Sequence, residues 1–412
     1  MVASLKLTPT ISAAEYGVTN PALAGVSPAI RVAVSFSLGK SSNISKGSLS
    51  SFGNKSMPSP LSKRGVVSMC SSESGPTVAV VGATGAVGVE LMNVLAGRDF
   101  PYRSLKLLAS RRSAGKHVLF EDHEYVIEEL NEESFKDVDI ALFSAGGSIS
   151  KKFGPLAAEQ GSIVIDNSSA FRMDDGVPLV IPEVNVDAMA HIKLRNKKGA
   201  LIANPNCSTI ICLMAVTPLH RYAKVSRMVV STYQAASGAG AAAMAELELQ
   251  TREVLEGRKP TCNIFSRQYA FNLFSHNTSV KENGYNEEEM KMVNETKKIW
   301  NDPEVKVTAT CIRVPIMRAH SESINLQFQN PLNENTAREI LGKADGVVVI
   351  DDRAANNFPT PIEVSSKDAV AVGRIRQDIS QEGCYGLDLF ACGDQIRKGA
   401  ALNAVQIAEH LL

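Results

Sequence analysis

The pattern of apolar positions divides the chain after residue 76 into two parts. In the first part, short apolar runs rich in Val, Ile and Leu alternate with helical segments such as 89–95. Runs of this length are typical of parallel strands that are buried on both faces. Their alternation with helices predicts an α/β fold with a Rossmann-like, doubly wound sheet. The runs are 77–81, 105–109, 140–143 and 163–165.

A different pattern begins after Pro205. Two segments rich in Val, Ile and Thr, 305–330 and 345–375, predict a mixed or antiparallel sheet. This second part is therefore expected to be an α+β domain with a mixed sheet. Its other predicted elements are helices at 207–222, 239–256 and 398–412 and a strand at 225–235.

The overall composition excludes several classes of protein. With 44% hydrophobic and 21% charged residues, the chain has the balance of a globular protein and contains no apolar run of membrane-spanning length. Basic and acidic residues number 43 each, which argues against a strongly basic nucleic-acid-binding protein. The seven cysteines are irregularly spaced and form no CxxC pair, so we expect free thiols and no metal site.

The charge is unevenly distributed along the chain. Residues 1–70 contain seven basic residues, one acidic residue and fifteen serines. A basic, Ser-rich and acid-poor N-terminus is typical of an organellar transit peptide, and the scarcity of arginine favours a plastid. We therefore expect 1–70 to be a disordered segment that is removed near Cys70 in the plastid stroma. The alternative is an ordinary disordered tail.

A glycine-rich turn follows the first predicted strand. Gly82, Gly85 and Gly88 have GxxGxxG spacing, and a helical segment comes next. Such a turn lets backbone N–H groups approach a pyrophosphate at a helix N-terminus, although a purely structural turn has the same composition. The cofactor contacts expected here come from Gly82, Thr84, Gly85, Ala86 and Val87.

The end of the second strand indicates which dinucleotide is bound. NAD sites usually have an acidic residue there, whereas this chain has Ser110, Arg112 and Ser113. Guanidinium and hydroxyl donors suit a 2′-phosphate, so NADP(H) is the expected cofactor. The alternative interpretation is a solvated basic turn.

Cys207 is the candidate nucleophile. It lies at the start of the predicted helix 207–222, where the helix N-terminus is expected to lower the pKa of its thiol. A thiolate beside a nicotinamide can add to an aldehyde and, after loss of hydride, form a thioester. Cys212, further along the same helix, fits an inert buried thiol.

At this point several motifs resemble those of the aspartate-semialdehyde dehydrogenase family, from about residue 77 to the C-terminus. The family reaction is the NADPH-dependent reduction of aspartyl-4-phosphate to aspartate semialdehyde and phosphate, on the route to Lys, Thr, Met and Ile. The motifs are GATGAVG at 82–88, DNSSAFR at 166–172, NPNCST at 204–209, TYQAASGAG at 232–240, RVP at 313–315, RAH at 318–320 and KGAA at 398–401.

The resemblance implies a role for each reactive side chain. Cys207 would form the thioester, His320 would act as general acid/base, and Gln234 would orient the acyl group. Arg313 would bind the substrate α-carboxylate. In one regular strand Arg313 and His320 would face opposite sides, so we expect a break near Pro315.

The remaining implied roles concern phosphate, the amino group and the cofactor. Arg172, Asn206 and Lys291 would handle phosphate, and Glu288 would bind the amino group from the same helix face as Lys291. Without the resemblance, Glu288 and Lys291 would be interpreted as part of a solvated charged helix. Further cofactor contacts are implied for Ser237, Gly238 and Gln395.

The sequence also predicts the domain organisation and the partners of the chain. We assign 71–205 together with 384–412 to the NADP-binding domain, and 206–383 to a catalytic and dimerisation domain. The resemblance implies a homodimer, with a tetramer as the alternative, and no membrane or nucleic-acid partner. Two other functions remain open: an N-acetyl-γ-glutamyl-phosphate reductase, and a catalytically inactive NADP-binding regulator.

Overall fold

The apolar runs of the first part form the predicted parallel sheet. The computed structural model describes residues 75–194 and 198–412, so the predicted transit peptide at 1–70 lies outside the described residues. The described strands before Pro205 are β1 (Thr77–Val81), β2 (Ser104–Ala109), β3 (His117–Phe120), β4 (His123–Val126), β5 (Glu128–Glu129), β6 (Ile140–Phe143), β7 (Ile163–Asp166) and β8 (Ala200–Ala203).

Six of these strands make one parallel sheet in the order β5-β2-β1-β6-β7-β8, while β3 and β4 form a separate antiparallel pair. All residues of β1, β6 and β7 are buried, which explains their continuous apolar sequences. The chain winds outward in opposite directions from β1 and β6. A crevice therefore forms at the carboxyl ends of these two strands.

Helix boundaries follow local capping signals. Asn286 and Glu289 form a reciprocal capping box at the start of one helix, and Asn301 ends that helix in a left-handed conformation. The helices of the described residues are α1 (Ala86–Gly97), α2 (Gly147–Glu159), α3 (Pro182–Asn185), α4 (Cys207–Ala223), α5 (Ala241–Leu255), α6 (Glu287–Trp300), α7 (Glu334–Leu341), α8 (Pro361–Val364) and α9 (Leu402–Glu409). None of them is long and apolar enough to cross a membrane.

The second part forms the predicted mixed sheet. Its order is β10-β11-β9-β12-β15-β14-β13, with β11/β9 and β13/β14 parallel and the other pairs antiparallel. Only the ends of the predicted segment 345–375 are strands, because a loop and α8 separate them. The seven strands are β9 (Val225–Gln234), β10 (Phe274–Ser275), β11 (Lys306–Arg313), β12 (His320–Phe328), β13 (Val347–Val349), β14 (Val370–Gln377) and β15 (Gly386–Gly393).

Helix α4 links the two sheets. It starts shortly after β8, and its apolar residues, including Ile211 and Leu213, pack against Val230 of β9 and Ile324 of β12 in one core. A helix that is apolar on all sides is stable only when neighbouring elements enclose it. This core fixes the direction of α4, so its first residue, Cys207, is held at the carboxyl end of β9.

The C-terminal segment returns to the first sheet as predicted. Val405 and Ile407 of α9 share a core with Val78 and Val80 of β1. The predicted boundary at 384 is wrong, however, because Gly386–Gly393 is strand β15, which is paired on both edges within the second sheet. The predicted helix 398–412 is also shorter than expected, because a π-helical turn at Arg397–Ala401 precedes α9.

Candidate active site

A cavity of about 420 Å³ extends from the crevice of the first sheet to the end of β9. Val87 and Ser144 line it on one side, and Gln234 and Arg313 line it on the other, with Cys207 between them. The sequence-predicted residues that line this cavity are Val87, Arg172, Asn206, Cys207, Gln234, Ser237, Gly238, Glu288, Lys291, Arg313 and Gln395. His320 lies against Gly238, and the other predicted cofactor residues belong to the turns after β1 and β2 and to the start of α1.

Cys207 occupies the first position of α4. Asn206 is the N-cap, and its Oδ1 accepts hydrogen bonds from the backbone N–H groups of Ser208 and Thr209 at 3.1 and 3.3 Å. On the other side of the thiol, a Cβ added to Gly399 would lie 2.9 Å from the Cys207 Cβ. Glycine is therefore required at 399, and the KGAA motif makes room for the nucleophile.

The expected lowering of the Cys207 pKa is not found. Burial raises the pKa of this thiol to about 12, and the negative charge of Glu288 adds to the effect. Arg172, Lys291 and Arg313 act in the opposite direction but do not overcome it. The prediction considered only the helix N-terminus, whereas the surrounding protein dominates. Cys207 is therefore held as a protonated thiol.

Gln234, Arg313 and His320 meet at one level of the second sheet. Arg313 is paired with Gln234, and the next strand pairs Ser321 with Tyr233, so His320 is level with Gln234 from the other side. The predicted break is confirmed, since β11 ends at Arg313 and β12 begins at His320. The connection crosses the end of β9, and this crossing brings the two side chains to the same edge.

His320 is fully buried at this edge. Its Nδ1 accepts the Ala235 backbone N–H at 3.0 Å, and none of the described residues bonds its Nε2. Burial, with a contribution from Arg313, lowers the pKa of His320 to about 3. The neutral ring therefore carries its proton on Nε2. In this state Nε2 can donate a hydrogen bond but cannot accept one. Of the general acid/base roles implied for His320, only that of a donor is therefore available.

Gly238 makes room for these groups. A Cβ at this position would lie 3.0 Å from a terminal guanidinium nitrogen of Arg313 and 3.2 Å from Nε2 of His320. A side chain at residue 238 would therefore crowd both groups. Ser237 and Gly238 both line the cavity.

Glu288 connects the two sides of the site. Its Oε1 accepts from the Asn206 side chain at 2.9 Å and from Gln234 Nε2 at 3.0 Å, while Oε2 accepts from Lys291 Nζ at 2.8 Å. Burial opposes ionisation, but the charge of Lys291 and the hydrogen bonds from Lys291 and Asn206 hold the pKa of Glu288 well below its usual range. Glu288 is therefore a carboxylate, and it lies on the same helix face as Lys291, as predicted.

Arg172 is held by a partner that the sequence did not reveal. Its guanidinium donates to Glu295 Oε1 at 3.0 Å and to the backbone oxygens of Asn204 and Asn167 at 2.9 and 2.8 Å. The second oxygen of Glu295 accepts the backbone N–H of Asn206 at 2.7 Å. Glu295 thus fixes the cation beside the nucleophile. In the sequence, the one sign that Glu295 belongs to the site is its position four residues after Lys291, which is one turn further along α6.

The crevice fits a dinucleotide. Gly82 has a φ of +88°, and a Cβ there would lie 2.4 Å from the Ser144 backbone oxygen. A Cβ on Gly88 would lie 2.2 Å from the Gly82 oxygen, so the glycines allow α1 to pack closely on β1. Helices α1 and α2 start after Gly85 and Gly146, and neither has a side-chain cap or an acidic first turn. Their free N–H groups suit phosphates.

The turn after β2 lies beside the glycine-rich turn. The Thr84 hydroxyl is 3.5 Å from the Ser113 hydroxyl, and Ser113 is buried. Arg112 is exposed and makes no ion pair with the described residues.

Gln395 organises the loop between the two halves of the site. Its amide donates to the Ser237 hydroxyl, and its Oε1 accepts the backbone N–H of Ala319 at 2.9 Å. Next to it, Asp394 accepts from Arg318 Nε at 2.6 Å. Gln395 lines the cavity, but its polar groups are already bonded within the protein. It therefore orients Ser237 and the residue before His320.

Comparison with known proteins agrees with this arrangement. Residues 77–192 match the family described as semialdehyde dehydrogenase, NAD binding domain, and residues 216–398 match semialdehyde dehydrogenase, dimerisation domain. Together the fold and the site define a nucleotide-linked semialdehyde dehydrogenase.

Individual relatives narrow the family. The chain is 52% identical over 336 residues to aspartate-semialdehyde dehydrogenase of Prochlorococcus marinus, covering 82% of this chain and 96% of that protein. It is 44% identical over 345 residues to the enzyme of the same name from Bacillus subtilis, covering 82% and 97%. The crystal structure of aspartate semialdehyde dehydrogenase II complexed with ASA from Vibrio cholerae matches with a TM-score of 0.78 and 45% identity, covering 82% and 98%. The chain belongs to the aspartate-semialdehyde dehydrogenase family.

Proposed function

We propose that this protein catalyses the NADPH-dependent reduction of L-aspartyl-4-phosphate to L-aspartate 4-semialdehyde and phosphate. The observation that supports this proposal most strongly is the position of Cys207. Its thiol lies in one cavity with a dinucleotide crevice on one side and with a carboxylate and two cations, Glu288, Lys291 and Arg313, on the other. The substrate carries an ammonium group, a carboxylate and a phosphate, so these charges match it.

The proposed reaction begins when Cys207 Sγ attacks the acyl-phosphate carbon. The carbon–oxygen bond to phosphate breaks, the thiol proton passes to the departing phosphate, and a thioester remains on Cys207. Arg172 and Lys291 bind the departing phosphate, while Arg313 and Glu288 hold the amino-acid end. When bound, NADPH supplies the hydride that reduces this thioester. The resulting thiohemiacetal then releases the aldehyde, and its carbon–sulfur electron pair returns to Cys207.

His320 and Gln234 stabilise the acyl group during these steps. The Nε2–H of His320 faces the same edge as Gln234 and can donate to the oxygen that becomes negative in each tetrahedral state. Removing one such donor typically lowers kcat by about 10²–10³-fold. Gln234 is anchored by its bond to Glu288, so the acyl oxygen and the amino group of the substrate are oriented together.

We propose NADP(H) as the cofactor. Two observations support this choice: the hydroxyls of Thr84 and Ser113 lie together beside the glycine-rich turn, and the exposed Arg112 immediately precedes Ser113. The N-termini of α1 and α2 would hold the pyrophosphate.

The assembly and location of the protein are also proposed. We infer that it is a homodimer, since residues 216–398 match a family described as a dimerisation domain, with a tetramer as the alternative. We infer further that 1–70 is a plastid transit peptide and that the enzyme works in the stroma. Fusion of residues 1–70 to a fluorescent protein should direct it to plastids; diffuse cytosolic fluorescence would contradict this inference.

The proposed activity is tested with purified protein in the reverse direction. Aspartate semialdehyde, NADP and phosphate should together produce NADPH, and omission of phosphate should stop turnover. A higher kcat/KM for N-acetylglutamate semialdehyde would instead identify an N-acetyl-γ-glutamyl-phosphate reductase. Absence of turnover with either aldehyde would favour the inactive regulator.

A further inference from the structure

A short segment, His276 to Thr278, lies between the two groups that are expected to hold the amino-acid end of the substrate. Strand β10 pairs Phe274 with Arg313, and the backbone N–H of His276 then donates to the Cys311 oxygen at 2.8 Å. The chain thus leaves the sheet directly beside the end of β11. Residues 276, 277 and 278 all line the cavity.

This segment contacts both charged groups. Asn277 Oδ1 is 3.4 Å from Arg313 Nε, and Thr278 Oγ1 accepts the backbone N–H of Glu288 at 3.2 Å. The segment therefore bridges the end of β11 and the first turn of α6. Its length and conformation contribute to the separation between Arg313 and Glu288.

The His276 ring is oriented by Thr278. Its Nδ1 is 3.2 Å from Thr278 Oγ1, and the same hydroxyl oxygen accepts the backbone N–H of Glu288. With Thr278 as the donor of this contact, Nδ1 is the acceptor and the neutral ring carries its proton on Nε2. His276 is buried except for a small surface in the cavity wall, and no described residue bonds its Nε2. Burial lowers the pKa of His276 to about 4, which keeps the ring neutral.

The charge pattern decides what this ring can bind. A neutral imidazole with its proton on Nε2 can only donate from that nitrogen, so it does not bind an ammonium group there. The substrate ammonium belongs to Glu288, and the α-carboxylate belongs to Arg313. A carboxylate has more acceptor sites than one guanidinium satisfies.

We propose that His276 is a further substrate-binding residue, which donates from Nε2 to the substrate α-carboxylate next to Arg313, and that Thr278 is the positioning residue that orients it. The proposal rests on the proposed function, because it assumes an α-amino acid substrate. It assigns recognition of the carboxylate to the end of β11 and to the segment that follows β10. Neither His276 nor Thr278 belongs to the motifs that identify the family.

The test compares His276→Ala, His276→Gln and Thr278→Val with the unsubstituted enzyme. His276→Ala should raise KM for aspartate semialdehyde about tenfold, since a hydrogen bond to a charged group is lost. KM for phosphate and for NADP should stay within about twofold of the starting value. His276→Gln, which keeps an N–H donor, should recover most of the loss, and Thr278→Val should show a smaller rise of the same kind.

Two results would overturn the proposal. One is an unchanged KM for aspartate semialdehyde in His276→Ala; the other is a rise of all three KM values together, because that would show a purely structural role. The unsubstituted enzyme is measured in the same assay. Its own failure to oxidise aspartate semialdehyde would refute the proposed function and is thus distinguished from a failure of the His276 variants.

Discussion

Arg313 and His320 lie on the two strands that flank β9, and both are level with Gln234. Seven residues separate them in sequence, yet the connection over the end of β9 brings them to one edge of the sheet. One of them is a permanent cation, and the other is a neutral ring. In the proposed mechanism Arg313 binds the substrate carboxylate, and His320 donates to the acyl oxygen.

The tautomer of His320 can be measured directly. With the Ala235 N–H bonded to Nδ1, we expect a neutral ring with its proton on Nε2 at pH 7. Nitrogen-15 NMR of histidine-labelled protein should show this tautomer, and His320→Asn should remove the signal and so assign it. The signal should not titrate between pH 5 and 8, because the pKa of His320 is lowered to about 3. A protonated ring at pH 6, or a proton on Nδ1, would contradict the account.

Glu288 should determine affinity for the amino group. Glu288→Gln removes the negative charge but keeps the size of the side chain, so KM for aspartate semialdehyde should rise about 10–100-fold. Glu287 is an exposed neighbour on the same helix, paired with Lys281, and Glu287→Gln serves as the matched control. Steady-state kinetics should show less than a twofold effect in the control. Equal effects in both variants would mean that KM depends on the overall charge of the helix and not on the contact between Glu288 and the amino group.

Arg112 should determine the choice of cofactor. Arg112→Ala removes the guanidinium of the turn after β2 that is proposed to bind the 2′-phosphate, so KM for NADP should rise about tenfold or more while KM for NAD hardly changes. The adjacent Arg111→Ala is the control, because each variant removes one positive charge and the two turns therefore have the same net charge. The measurement is the ratio of kcat/KM for NADP to that for NAD. If Arg111→Ala lowers this ratio as much as Arg112→Ala does, the assignment of Arg112 is wrong.

Glu322 should make stability depend on pH. It is fully buried in β12, its carboxyl oxygens have no hydrogen-bonding partner among the described residues, and burial raises its pKa well above the usual value. A raised folded-state pKa means that the protein loses stability as pH rises above the unfolded value of about 4.3. Glu322→Gln should therefore gain thermal stability relative to the unsubstituted protein, and by more at pH 8 than at pH 5.

The control for this prediction is Glu282→Gln, which changes an exposed carboxylate. Its melting temperature should differ little from that of the unsubstituted protein at either pH. A stability difference for Glu322→Gln that stays constant between pH 5 and pH 8 would show that Glu322 does not become protonated on folding.

Local sequence was sufficient for the features that depend on neighbouring residues. The strand, glycine turn and helix around Gly82 and Gly85 follow from short-range pattern, as does Cys207 at the start of α4. The fold class and the return of α9 to the first sheet were also predicted. The boundary at 384 failed because the pairing of β15 with β12 and β14 joins distant segments.

The chemistry of the site depended on the assembled structure. The pKa of Cys207 is set by burial and by Glu288, a residue on another helix, so the effect of the helix terminus alone gave the wrong direction. Glu295 and His276 were missed because their partners, Arg172 and Thr278, become meaningful only when α6 and β10 pack beside the cavity. The pKa values and contacts of site residues depend on burial and on nearby charges, which are established only when the chain folds. Helix periodicity, in contrast, is visible in the sequence.

The central claim is that Cys207 forms a thioester with the substrate, and a phosphate-free reaction tests it most directly. Purified enzyme mixed with aspartate semialdehyde and NADP should release about one NADPH per active site and then stop, because the thioester has no phosphate to accept the acyl group. Mass spectrometry should find the acyl group on the peptide that contains Cys207, added phosphate should restart turnover, and Cys207→Ala should show no burst. A burst of normal size in Cys207→Ala, or an acyl group on another residue, would contradict the account.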